Sequence, residues 1–180
     1  MNVVLRESER LNEIIANFLA YARPQSDGFT PVKHDGRTDV TEAIRDCLAL
    51  LRHSPEIKET HLLEADLPGR PVKITATETQ IKQVCWNLLQ NSIQAMPDGG
   101  SVSVRLKELP GRHVQIVFQD TGAGISPDNL EHLFEPFSKG ARGTGLGLSI
   151  VHKIVSDNGG RIDVQSANGE GTKITVELPH

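Results

Sequence analysis

The chain has 180 residues, 37% of them hydrophobic and 23% charged, with a formal net charge of −4. That is enough for one domain with a filled core, while the acidic balance, a single Trp and a single Tyr argue against the basic stripe or stacking platform of a nucleic-acid surface. No run is long and apolar enough to cross a bilayer and the start is not a signal peptide, so a cytoplasmic location without direct membrane contact is expected of these residues.

The first segment, VVLRESERLNEIIANFLAYARP, reads as a helix in which Val4, Leu11, Ile14, Ile15 and Phe18 form one apolar stripe, widened by Leu19. Pro24 ends it and PQSDG supplies turn chemistry. Such a stripe cannot bury itself unaided and needs either the rest of the domain or another helix. A short extended piece follows at Phe29 to Lys33. Asp39 then precedes a second amphipathic helix, with Glu42 completing a capping box and Val40, Ile44, Cys47, Leu48 and Leu51 on the apolar face. HLLEAD and VKITAT read as two short strands separated by LPGRP, and Glu78 to Met96 is helical again, stopped by PDGG.

The second half alternates. SVSVRLKEL and HVQIVFQD flank PGR as a hairpin, SPDNLEHLF is a short helix capped by Ser126, and Leu146 to Asp157 is a longer helix stopped by NGG. RIDVQSAN and TKITVELP make a last hairpin across GEG. The sum predicts an α+β fold, a two-layer sandwich whose mixed, mostly antiparallel sheet carries its helices on one face. Cys47 and Cys85 lie in apolar helical patterns and are expected as buried, reduced thiols; the seven histidines show no ligand spacing, so no structural metal site is expected from them.

Four stretches carry possible chemistry. In QIKQVCWNLLQNSIQAM, residues Gln83, Asn87 and Asn91 recur every fourth position and stack amides on one face, with Ile81, Val84, Leu88 and Ala95 on a core face. The amide column is either a solvated polar face or a set of oxygens that bind something; stacked Asn is a poor choice for a helix that needs only solubility. In QDTGAGIS a strand delivers Asp120 to its end, ahead of Gly122 and Gly124. That carboxylate either caps a turn or accepts a hydrogen bond from an amino group, such as the exocyclic amine of adenine, with the glycines letting backbone approach a flat base. In LFEPFSKGA, Phe134 and Phe137 frame a proline as a stiff apolar hinge, with both rings expected to pack, and Lys139 and Arg142 are the cations beside the glycines that follow. In KGARGTGLGLSIVHKIV four glycines run directly into a helix start, where free N–H groups and the positive dipole end favour phosphate. It is neither a Walker loop nor a Rossmann turn. Together the four describe a pocket for a magnesium-bound nucleotide.

In order, NLLQNSIQAM, DTGAGI, FEPF and GTGLGL resemble the N box, first glycine box, phenylalanine box and second glycine box of bacterial sensor histidine kinases, and NGEGTKITVELP resembles the last glycine box. The resemblance spans Phe29 to His180, and ERLNEIIANFLAYARP resembles the second helix of the family's dimerisation and phosphoacceptor hairpin. QAMPDGG and FEPF are most similar to the nitrogen-regulation type. The resemblance implies an incomplete hairpin at residues 1–24, a linker and first strand at 25–38, and a catalytic ATP-binding domain at 39–180, with the sandwich shared by DNA gyrase B, Hsp90 and the mismatch-repair ATPases.

It further implies that Asn91 holds Mg²⁺ with Asn87 supporting the phosphate region, that Asp120 reads the adenine amine beside Gly122, Gly124 and Ile125, and that Thr172 closes the adenine end through its hydroxyl. Lys139 would reach the terminal phosphates, and Phe137, Arg142, Gly143, Thr144, Gly145, Leu146, Gly147 and Leu148 would line the rest of the ATP site. The superfamily's ATPases resemble one another in a water-activating Glu four residues before the metal-binding Asn; this chain has Asn87 there, and an amide is no general base. The expected reaction is therefore transfer of the γ-phosphoryl to a histidine of a dimerisation hairpin, and from it to an Asp of a response-regulator receiver domain, in a kinase that is homodimeric at full length. No histidine here has the acceptor context His-Glu-x-x-Asn-Pro, and His152 reads as an ordinary helical residue, so the chain is expected to be the C-terminal part of a longer kinase. The alternative is a non-catalytic, ATP-dependent partner-binding module of the anti-sigma type. Two departures from the family pattern are a lid loop one residue short, between Phe137 and Gly143, and Ser92 where Ala usually follows the metal Asn.

Overall fold

The computed structural model describes residues 37–137 and 145–180. The expected leading helix and the extended piece at Phe29 to Lys33 lie outside them, as do Lys139, Arg142, Gly143 and Thr144.

Asp39 ends a two-residue strand, β1 (Thr38–Asp39), and caps α1 (Val40–Arg52), its Oδ1 accepting from the N–H of Thr41 at 2.9 Å. The same oxygen accepts from Val72 N at 3.2 Å, and Val40 N donates to Val72 O at 2.8 Å. These bonds hold β3 (Lys73–Ile74) antiparallel to β1, apart from the main sheet. The strand expected over VKITAT is thus only two residues long, because Thr77 already caps the next helix, α2 (Glu78–Gln94). There a reciprocal capping box forms: Thr77 Oγ1 accepts from Gln80 N at 3.3 Å while Gln80 Oε1 accepts from Thr77 N at 3.1 Å.

Five strands make the main sheet: β2 (His61–Asp66), β4 (Gly100–Leu109), β5 (His113–Asp120), β6 (Arg161–Ser166) and β7 (Thr172–Pro179), in the order β2-β4-β5-β7-β6. Only β2 and β4 pair in parallel. Period-two alternation sends Val102, Val104, Leu106, Val114, Ile116, Phe118, Ile174, Val176 and Leu178 to one buried face. On that face α2 lies between α1 and α4 (Gly147–Asp157), burying Ile81, Val84, Leu88 and Leu89 in one core with Ile150, Val151 and Val155. The other face is mostly polar, carrying Arg105, Lys107, Gln115, Gln119, Lys173 and Glu177 alongside the apolar Val117. The expected sandwich, with its mixed sheet and one layer of helices, is the fold.

Cys47 and Cys85 are free and buried between α1 and α2. The short helix α3 (Pro127–Glu131) is capped by Ser126 as expected but ends before Phe134, and it buries no side chain. Among the described residues no helix is long and apolar enough to cross a membrane.

Candidate functional site

Register sets Asp120 opposite both Val102 of β4 and Thr172 of β7, at the end of the sheet where β5 gives way to glycines. Its side chain is 6% exposed, and Oδ1 accepts from Gly122 N at 2.9 Å and Thr172 N at 3.1 Å. Burial pushes the carboxyl above its ordinary value, opposed by hydrogen bonds from Gly122, Ser92 and Thr172. Gly122 is packed so closely that a Cβ would meet Ala95 Cβ at 2.7 Å, and Ala123 N donates to Ala95 O at 3.1 Å. Ala95, expected on the core face of α2, therefore serves instead as the dock for the Asp120 turn.

Gly124 has φ of +69°, and a side chain there would run into the Ala167 carbonyl. Gly169 N donates to Ala123 O at 2.7 Å, so the turn after β5 is strapped to the β6–β7 turn. Ser166 completes the strap. Its Oγ accepts from Ile125 N at 2.9 Å, donates to Gly171 O at 2.7 Å and lies 3.0 Å from Thr172 Oγ1. Because the Ser166 hydrogen goes to Gly171, the Thr172 hydroxyl donates to Ser166 and keeps its lone pairs for a ligand. Ser166 stands at a strand end in an ordinary polar position, and nothing in the sequence singles it out.

The second part of the site lies between α2 and α4. Asn87 Nδ2 donates to Gly147 O at 3.3 Å, and a Cβ on Gly147 would lie 3.8 Å from Asn87 Cγ and 3.9 Å from Asn91 Nδ2. Asn91 Nδ2 is itself buried with no hydrogen-bond partner among the described residues. Leu146 precedes α4 as its N-cap, and no side chain caps the helix there. Two of the three amides in the predicted column thus face a helix start without a side-chain cap; Gln83, two turns below Asn91, is half-buried. The Leu146 side chain is 1% exposed in the core, so only its backbone can face a ligand, and Leu148 packs half-buried against the same core.

Phe134 is half-buried and stacks on His152, which is exposed on α4, with ring centroids 5.0 Å apart. Phe137 departs from expectation. It is 65% exposed, its φ is +60°, and its N–H donates to Gly145 O at 3.1 Å. Phe137 and Gly145 so meet at the two ends of the stretch that carries Lys139, Arg142, Gly143 and Thr144. Among the described residues no cluster of His, Cys, Asp and Glu could hold a metal ion by itself.

The family model described as histidine kinase-, DNA gyrase B- and HSP90-like ATPase matches residues 76–180. Sporulation kinase E of Bacillus subtilis is 38% identical over 179 residues, which is 99% of this chain and 23% of that protein. The solved structure of the mycobacterial sensor histidine kinase MprB is 31% identical, with a TM-score of 0.70, covering 79% of this chain and 95% of that one. Full-length ShkA, solved in complex with AMPPNP, is 25% identical with a TM-score of 0.80, covering 98% of this chain and 37% of that one. The chain belongs to the histidine kinase-, DNA gyrase B- and HSP90-like ATPase family, and it carries the ATP-binding catalytic domain of sensor histidine kinases. It spans about a quarter of the length of the first of these relatives.

Proposed function

We propose that the chain binds Mg-ATP and supplies the γ-phosphoryl to a histidine on a dimerisation hairpin, from which a response-regulator aspartate takes it. The observation that carries this reading is the pairing of two half-sites along one edge of the sandwich. A buried carboxylate stands among close-packed glycines at one half, and a helix start with no side-chain cap, facing two amides, stands at the other. The carboxylate suits the amine of adenine; the helix start suits phosphate oxygens.

Asn91 suits the phosphate region because its Nδ2, the one buried side-chain atom left unpartnered among the described residues, lies beside Gly147 and could donate to a phosphate oxygen, leaving Oδ1 as the atom that would hold a metal. Asn91 would hold Mg²⁺, whose contribution when bound is to offset phosphate charge. Asn87, fixed by its bond to Gly147 O, supports the turn that receives the phosphates and has no basic atom to activate water. That favours transfer over hydrolysis. Lys139, Arg142, Gly143 and Thr144 would meet the terminal phosphates from the stretch between Phe137 and Gly145, with Gly145, Leu146, Gly147 and Leu148 contributing backbone. Ile125 and Thr172 would close the adenine end.

Residues 1–24 are proposed as the second helix of the hairpin, 25–38 as linker and 39–180 as the catalytic domain. We place this domain in the cytoplasm, within a full-length protein that is homodimeric and either soluble or membrane-anchored, and QAMPDGG with FEPF supports the nitrogen-regulation type. The test is titration of the purified chain with a fluorescent ATP analogue with and without magnesium, followed by transfer to a supplied acceptor hairpin. Saturable, magnesium-dependent binding is expected, and absence of a saturable signal refutes the reading.

A further inference from the structure

The last rung of the main sheet differs from the one before it. Phe118, Ile174 and Val164 stand side by side across β5, β7 and β6, and the next rung on the same face carries Asp120, Thr172 and Ser166. An apolar layer thus ends in a carboxylate and two hydroxyls, with Asp120 and Thr172 buried and Ser166 half-buried. The hydroxyls are connected in one direction only. Ser166 Oγ accepts from Ile125 N at 2.9 Å and gives its single hydrogen to Gly171 O at 2.7 Å. Its remaining lone pair takes the Thr172 hydroxyl hydrogen, with the two oxygens 3.0 Å apart.

Ser166 is then saturated, with one bond given and two received. Thr172 has given its one side-chain hydrogen and keeps only lone pairs. Its backbone N–H is committed as well, to Asp120 Oδ1 at 3.1 Å, so the two side chains are held as neighbours. Gly171, which receives the Ser166 hydrogen, packs so tightly that a Cβ there would strike the Asp120 carbonyl. The ionised Asp120 and Thr172 together therefore offer acceptors and no side-chain donor. Such a pair matches the two N–H bonds of an amino group and opposes a carbonyl.

We propose that Ser166 is a positioning residue that sets nucleobase specificity: by taking the Thr172 hydroxyl hydrogen, it fixes that hydroxyl as a second acceptor, beside Asp120, for an exocyclic amine. This rests on the reading of Asp120 and Thr172 as the adenine end of the site. Ser166 does not touch the base and acts only through Thr172. Without it, the Thr172 hydrogen swings toward the ligand, where it meets an N–H of the amine in place of the lone pair.

The test measures affinity of the chain for Mg-ATP and for the magnesium complex of purine riboside triphosphate, which lacks the exocyclic amine, and takes their ratio. Ser166→Ala is expected to lower the preference for ATP roughly threefold or more, the effect of one hydrogen bond. Ser166→Cys, which fills the same space with a weakly hydrogen-bonding sulfur, should lower it likewise. Thr172→Val should lower it too while leaving the Ser166 bonds to Ile125 and Gly171 in place, and adding Ser166→Ala to it should change the ratio no further. An equal loss for both nucleotides in Ser166→Ala marks a strap that only holds two turns together, and it overturns the proposal. So does a ratio unchanged in Ser166→Ala or in Thr172→Val, or a further fall in the double variant. Thermal unfolding establishes that the chains compared are folded. If the parent chain binds both nucleotides alike, or Asp120→Asn keeps the preference, the adenine reading itself has failed; if Asp120→Asn abolishes the preference while Ser166→Ala retains it, only the role of Ser166 has.

Discussion

The Asp120 carboxylate accepts a hydrogen bond from the backbone N–H of Thr172, 3.1 Å away and 52 positions later in the chain. That bond closes the adenine half of the proposed site by joining the turn after β5 to the beginning of β7, and it places the acidic group where water is scarce.

Burial raises the carboxyl above its ordinary value, so this group favours the folded state most below its unfolded pKa and loses that contribution as pH rises through the folded one. Nucleotide recognition runs the other way, because the amine needs an ionised acceptor. Asp120→Asn should therefore leave the nucleotide-free chain as stable as before or more stable at neutral pH, while weakening ATP binding roughly tenfold or more. In the parent chain, ATP affinity should fall on acidification at a higher pH than an ordinary aspartate would give. Denaturant melts and nucleotide titrations across pH read both effects.

Two glycines should respond differently to alanine. A Cβ on Gly147 meets only ordinary contacts with Asn87 and Asn91, so Gly147→Ala should change stability by less than about 1 kcal/mol while obstructing phosphate at the helix start. Gly171 has φ of +78°, and its added Cβ would strike the Asp120 carbonyl. Gly171→Ala should lower the melting temperature and loosen the β6–β7 turn. Scanning calorimetry beside nucleotide titration distinguishes the two.

Asn91→Ala removes an amide whose Nδ2 has no hydrogen-bond partner among the described residues, so the fold should tolerate it within about 1 kcal/mol. The expected loss is functional: magnesium should no longer strengthen ATP binding, and transfer to a supplied hairpin should fall below detection. Retained magnesium dependence would remove Asn91 from the proposed metal role.

Thr77→Ala breaks the capping box with Gln80 and should cost about 1 kcal/mol in urea unfolding. The box is at the end of α2 remote from Asn91, so ATP affinity should be unchanged wherever the domain is folded.

The elements were readable because their causes are local. Alternation in SVSVRLKEL, HVQIVFQD and TKITVELP requires a sheet with one buried face, and the stripes of α1 and α2 require helices that cover it. Asp120 ahead of Gly122 and Gly124, and glycines ahead of α4, likewise announce unusual backbone next to chemistry. VKITAT misled because its Val72 and Ile74 are as apolar as a full strand requires, while the cap at Thr77 and the bonds from Val40 and Asp39 confine it to two residues. Phe137 misled as well: an aromatic residue beside proline suggests packing, yet it is exposed at a position of positive φ.

From the sequence alone came the α+β class, the order of helices and strands, and the residue types of a nucleotide pocket, since side-chain periodicity and glycine placement act over a few neighbouring positions. The tertiary structure decided that β2 joins β4 in parallel, that Ser166 straps the turn after β5 to the β6–β7 turn, and that Thr172 N reaches Asp120. Those relations join residues far apart in the chain, and only the packing of one layer on another brings their donors and acceptors within bonding distance.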